Sequence, residues 1–179
     1  MPTTGEKISS WVEEMAGLSS KFSRGFEVWY GYEPDANELM LTSLAESDAR
    51  RALSAMGAPG DLLKFYERVL RISWPDVGNG FFVNSAEEVV AGRGDWQPAE
   101  VIGAVTDSVI VFASDGGGGL YALTSTDGKV YRLFGGSLVG ATYDVDESGV
   151  GLIAVDFWEF LEYLRKQLLL AMTAQIPEC

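Results

Sequence analysis

Between Val109 and Leu133 the chain reads VIVFASDGGGGLYALTSTDGKVYRL, and this stretch limits the fold more than any other. It holds strand-like runs separated by two turns. Val109 to Ala113 is apolar and rich in β-branched residues, which suits a buried strand. Ser114-Asp115 and a run of glycines follow, then a second apolar run from Leu120 to Leu123. That run leads into Ser125-Thr126-Asp127-Gly128, and Asp-Gly between apolar runs signals a hairpin because the turn needs positive φ. Lys129 to Phe134 alternates, with Val130 and Arg132 on one face and Tyr131 and Leu133 on the other. The pattern predicts an antiparallel meander over 109–134 at the centre of the core.

What surrounds the meander is bounded by length and composition. A chain of 179 residues is one domain by size. Hydrophobic content of 47% and a mean hydropathy of +0.08 describe a folded globular chain. The net charge of −13 argues against direct nucleic-acid binding, which needs Lys and Arg to neutralise phosphate. It suits a basic protein partner, and it serves solubility equally well. The sole cysteine is Cys179, so no disulfide forms within the chain, as expected of a reducing compartment. There is no apolar run of about 20 residues for a membrane span and no signal-peptide pattern, so a cytoplasmic, non-membrane protein is expected.

Histidine is absent. That excludes a Ser-His-Asp triad, a Cys-His pair and any His metal ligand. Catalysis by carboxylates alone stays open, as in glycosidases, but the usual general base at neutral pH is missing. Neither a metal nor a cofactor is expected.

Helical spacing joins Ile8, Trp11, Val12, Met15 and Leu18. Residues 20–26 read as a loop, and Phe26 to Tyr32 as an extended aromatic segment whose rings Phe26, Trp29, Tyr30 and Tyr32 serve the core. Thr42 or Ser43 is placed to cap a helix running to Met56, with Leu44, Ala45, Ala49, Ala52 and Leu53 on its apolar face and Gly57 after its end. Ala58-Pro59-Gly60-Asp61 opens a second helix with Leu62, Leu63, Phe65, Tyr66, Val69 and Leu70 apolar. Residues 73–80 are turn-rich, Phe81 to Val83 is a short strand, and Ser85 with Glu88 forms a capping box for a helix ending at Gly92. Val101 to Val105 is a further strand. A mixed loop follows Gly135-Gly136, Gly151 to Val155 is a last strand, and Asp156 with Glu159 caps a final helix built on Phe157, Phe160, Leu161, Leu164 and Leu168.

The loop Asp115-Gly116-Gly117-Gly118-Gly119 invites a phosphate-cradle reading, since glycine-rich amides bind anions. No Gly-Lys-Ser/Thr follows, and Asp115 stands at the entrance. A tight turn or bulge, where another backbone passes close, accounts for the glycines better. Asp144 to Gly149 resembles half a calcium loop, but Val155 stands where a bidentate Glu should be. The acids Asp144, Asp146, Glu147, Asp156, Glu159 and Glu162, uninterrupted by Lys or Arg, form either a patch for a basic partner or a solvated face. Trp74 beside Pro75-Asp76 offers an aromatic anchor of the kind interfaces use, although core packing is the commoner use of a Trp.

Several of these pieces, in this order, resemble the SUKH superfamily, which includes bacterial toxin-immunity proteins and a yeast cell-wall assembly regulator. Ala58 to Tyr66 is similar to that family's Pro-x-Asp helix opening, and Pro75-Asp76 with Asn79-Gly80 to its Asn-Gly loop. Phe112 to Leu123 with Asp127 to Tyr131 is similar to its core signature, and Val155 to Leu161 to its closing helix. The likeness spans about 43–168 and leaves the extension 1–38 uncovered. It departs where Gly119 and Leu120 replace the acidic residue that often follows the family's glycines. The resemblance implies an α+β single domain, with a twisted antiparallel sheet around the meander packed by N-terminal and C-terminal helices. It also implies a non-catalytic immunity protein that neutralises a secreted bacterial toxin, such as a basic nuclease, in the cytoplasm. Candidate contacts, chosen by motif and loop position, are Trp74, Asp76, Asp115, Tyr121 and Tyr131. A regulatory or scaffold module is the first alternative, and a carboxylate enzyme or a small-ligand binder the second.

Overall fold

The computed structural model describes residues 1–42 and 47–173. It opens on a long helix, α1 (Thr4–Tyr30), entered through a capping box between Thr3 and Glu6 and closed by Gly31 at φ 82°. Ile8, Trp11, Val12, Met15, Phe22 and Phe26 continue one buried stripe along it. Residues 20–26 are therefore helix rather than loop, and Phe26 to Tyr30 is helical rather than extended. Phe22 and Phe26 are four apart and Trp29 and Tyr30 follow three and four later, a helical spacing that is hidden when the aromatic run is read by itself. The rings serve the core as expected at Phe26, Trp29 and Tyr30, while Tyr32 is exposed.

After β1 (Glu38–Leu41) comes α2 (Asp48–Ala55), capped by Ser47, whose hydroxyl accepts from the Arg50 amide. Thr42 lies outside this helix, and Ser43, Leu44 and Ala45 lie outside the described residues. Gly57 follows the helix at φ 84°, as its position predicts. Helix α3 (Gly60–Tyr66) stops short of Val69 and Leu70, which belong to β2 (Val69–Trp74). Both residues match a helical period, but β-branched alternation takes over within a few positions of Tyr66. Next come β3 (Phe81–Val83) and α4 (Ala86–Gly92), the latter entered through the Ser85–Glu88 box. Then follow β4 (Glu100–Gly103), β5 (Asp107–Asp115), β6 (Leu120–Thr124) and β7 (Val130–Leu133). The expected mixed loop after Phe134 contains a hairpin, β8 (Ser137–Val139) and β9 (Thr142–Val145). Strand β10 (Val150–Ala154) leads to α5 (Phe157–Thr173), where Asp156 accepts from the Glu159 amide and Glu159 accepts from the Val155 amide.

This is an α+β fold. The strands form one sheet in the order β1-β2-β3-β5-β4-β9-β8, with β6, β7 and β10 added in turn on the other edge of β5. Every ladder is antiparallel except β4 with β9. The long β5 makes this branching possible: its end pairs β3 (Phe81 with Asp115) and its start pairs β4 (Glu100 with Ser108). The meander β5-β6-β7 forms as predicted, and Gly128 takes φ 70° in its second turn.

Alternation along β5 supplies two cores. Ile110 and Phe112 join the large cluster against α1, α3 and α5, while Val109 and Val111 join a smaller one with Val101, Tyr143 and Val145. Phe112 meets Phe157 and Phe160 edge to face, with centroids 5.6 and 5.0 Å away. Such pairs add about 0.5–1.5 kcal/mol each beyond area burial. A strand covered on both faces explains why Val109 to Ala113 is apolar at every position.

Candidate functional site at the glycine loop

The β5–β6 connection closes when the Asp115 amide donates to the Gly119 carbonyl at 2.9 Å. Inside that turn the amides of Gly117 and Gly119 each donate to Asp115 Oδ1 at 2.8 Å. The register of β6 on β7 sets Arg132 opposite Tyr121, and from there its Nε donates to Asp115 Oδ2 at 2.7 Å. The cradle is real, and the anion in it is the chain's own carboxylate. Asp115 keeps only 6% of its side chain exposed, against 29% for Arg132. Arg132 also stacks over Phe134, 4.6 Å from guanidinium to ring centroid.

The glycines follow from this geometry. Gly116 donates its amide to the Asn79 carbonyl of the β2–β3 turn at 2.9 Å, and a Cβ there would stand 2.2 Å from that same oxygen. A Cβ on Gly119 would stand 2.5 Å from Asp115 Oδ2. The predicted close passage of another backbone is therefore present, and the passing strand end is the Asn79-Gly80 turn.

Burial acts to raise the Asp115 carboxyl, but the Arg132 hydrogen bond, the Gly119 and Gly117 amides and the Arg132 charge outweigh it and hold it below the usual carboxylate range. A carboxyl whose native pKa lies below its unfolded value of about 3.9 stabilises the fold fully above that value. The contribution is lost as pH falls through the native pKa. Urea midpoints of the wild-type chain should therefore drop more steeply below about pH 4 than those of Asp115→Asn, which has no such carboxyl to protonate. Parallel slopes would show that Asp115 is not held in this way.

Asp76 is bound internally as well. It accepts from the Asp35 amide at 2.8 Å and from Asn37 Nδ2 at 2.6 Å, and its own amide donates to Asn37 Oδ1 at 3.1 Å. This latch ties the segment between α1 and β1 to the β2–β3 turn. Asn37 is buried, and nothing in its sequence surroundings marks it, because its partner lies 39 residues away.

Trp74 takes the commoner use, core packing, and is not the exposed anchor offered as its alternative. Trp74 is 0% exposed, and its indole N–H donates to Ser19 Oγ at 3.0 Å. Tyr121 is likewise buried, between Phe81 and Phe160, and burial with Tyr163 beside it pushes its phenol well above the ordinary range. Tyr131 lies on the opposite face of the sheet, half-buried against the smaller core. The five candidate contacts therefore do not share a surface. Asp115 sits next to Tyr121, as the loop position suggests, but both face inward.

Among the acids of 144–162, Asp146 is a turn cap, accepting from the Ser148 amide at 3.0 Å and from its hydroxyl at 2.5 Å. Glu147 and Asp144 are exposed and, among the described residues, carry no side-chain hydrogen bond or ion pair; the same holds for Glu100, which shares the outer face of the β4-β9-β8 sheet with Asp144. Among the described residues no group of three acidic side chains converges as a metal site requires. No helix among them is long and apolar enough to cross a membrane. No family model and no curated protein matches this chain.

Proposed function

We propose that this chain is a non-catalytic, protein-binding domain of the SUKH immunity type, which neutralises a basic secreted toxin in the cytoplasm. One observation carries the reading: Asp115 accepts the Gly117 and Gly119 amides from within and Arg132 donates to the same carboxylate, so the feature most suggestive of a small anionic ligand is occupied by the fold itself. What the chain offers a partner is then its surface, on which Glu100, Asp144 and Glu147 are exposed and unpaired among the described residues. A net charge of −13 attracts a basic domain and hastens encounter. It repels nucleic acid, so a nuclease toxin would be met through its protein surface.

Co-expression with the product of a neighbouring toxin gene should restore growth, and the purified pair should associate more slowly as salt rises, because exposed charges are screened beyond about 8 Å at physiological ionic strength. Absence of rescue, with no binding to any neighbouring gene product, would sink the reading. Weak binding to several partners without rescue would favour the scaffold alternative.

A further inference from the structure

Among the described residues three strands pair on one side only: β1, β8 and β10. Natural edge strands are usually shortened or charged, because open amides and carbonyls invite another strand. Strand β8 has three residues and β1 begins with Glu38. Strand β10, VGLIA, is five residues long and carries no charge and no proline. Leu152 at its centre is 54% exposed. Its single protective device is a bulge between Leu152 and Ala154.

Beside the end of this edge runs a groove of about 610 Å³. Ile153 lines it from the strand, Val155 from the bend that follows, and Trp158, Glu159, Glu162 and Tyr163 from α5. An open strand edge with a helix alongside is the arrangement that strand-addition domains use: backbone bonds hold an extended peptide and alternate side chains enter the groove. The carboxylates of Asp156, Glu159 and Glu162 outnumber the two cations of the groove, Arg165 and Lys166, so it favours a basic peptide. Glu159 and Asp156 bond amides at the start of α5, whereas Glu162 has no side-chain hydrogen bond or ion pair among the described residues. Arg165, which also lines the groove, pairs with Glu14 at 2.8 Å, and Lys166 lies one helical turn beyond Glu162.

We propose that the free edge of β10 and the α5 groove receive an extended basic segment of a protein partner, which adds to the sheet as a further strand. The inference rests on the protein-binding reading above and specifies where and how that binding occurs.

The probe is a short peptide alternating Lys and Val, added to the isotope-labelled full chain and followed by amide chemical shifts. Shifts should concentrate over 150–166. Methylating alternate peptide nitrogens, which removes the strand bonds and leaves the protein untouched, should weaken binding about tenfold or more. Glu162→Lys, a surface change whose fold is checked by its melting curve, should weaken it about threefold or more. The Glu/Val counterpart peptide should not bind. Absence of shifts, shifts over β1 or β8, or indifference to N-methylation would overturn the proposal. If a toxin rescues growth but its footprint lies elsewhere, the edge inference fails and the immunity reading stands. If the peptide docks on β10 but co-expression fails, the edge inference stands and the toxin assignment falls.

Discussion

Trp74→Ala is expected to destabilise the fold by about 4 kcal/mol, within the range for removing a fully buried large aromatic. The side chain is 0% exposed, so its deletion leaves a cavity between the sheet and α1. It also strands the Ser19 hydroxyl, which is in a residue 3% exposed and accepts the indole N–H. For a chain of this length that cost corresponds to a melting point lower by about 8–16 °C. Trp74→Phe separates the two contributions. It retains most of the packing and should cost about 2 kcal/mol, part of it from the unsatisfied hydroxyl. Adding Ser19→Ala to Trp74→Phe should return some of that loss, because an apolar pair of similar shape leaves no buried polar group without a partner. Urea denaturation followed by circular dichroism measures all three. A Trp74→Ala cost below about 1 kcal/mol would contradict the burial and reopen the residue as a surface anchor.

Asp115→Ala is expected to cost about 2–3 kcal/mol, below the usual 3–5 for breaking a buried ion pair because Arg132 keeps 29% of its side chain in solvent. The substitution removes the acceptor of two glycine amides and leaves the guanidinium without its carboxylate. Arg132→Ala alone should cost less, since the Gly117 and Gly119 amides still hold Asp115. The double variant should be more stable than the sum of the single effects predicts, with a coupling of about 1–2 kcal/mol. Strict additivity in a double-mutant cycle would show that the two side chains do not act as a unit. Partner binding by folded Asp115→Ala should be little changed, because the carboxylate faces its own loop.

These two sites divide what can be read locally from what cannot. The meander was legible because its determinants are close together: β-branched runs, a two-residue Asp-Gly turn and strict alternation of Val130 to Leu133. The Ser85–Glu88 box and the Asp156 cap were legible for the same reason, each being complete within four residues. The start of α2 was not, since Ser47 rather than Thr42 caps it. Helix α1 extends beyond its apparent end because Ser19, Ser20 and Lys21 between Leu18 and Phe22 interrupt the apolar pattern without interrupting the helix. The β8–β9 hairpin was missed because Gly140-Ala141 is a weak turn signal and Ser137 to Val139 too short to show a period.

By itself the sequence determined an α+β chain centred on 109–134, the absence of histidine chemistry, and a glycine loop read as a tight turn that another backbone passes closely. Only the tertiary structure decided what crowds it. The anion in the cradle comes from within the loop and its counter-charge from Arg132, 17 residues on, while the backbone pressing on Gly116 comes from Asn79. Turn and helix signals act over a few residues because they reflect backbone geometry and nearest side chains. Which distant segments meet is set by the burial of all the apolar faces at once, so Trp74 found Ser19, Asp76 found Asn37, and β10 was left with an open edge.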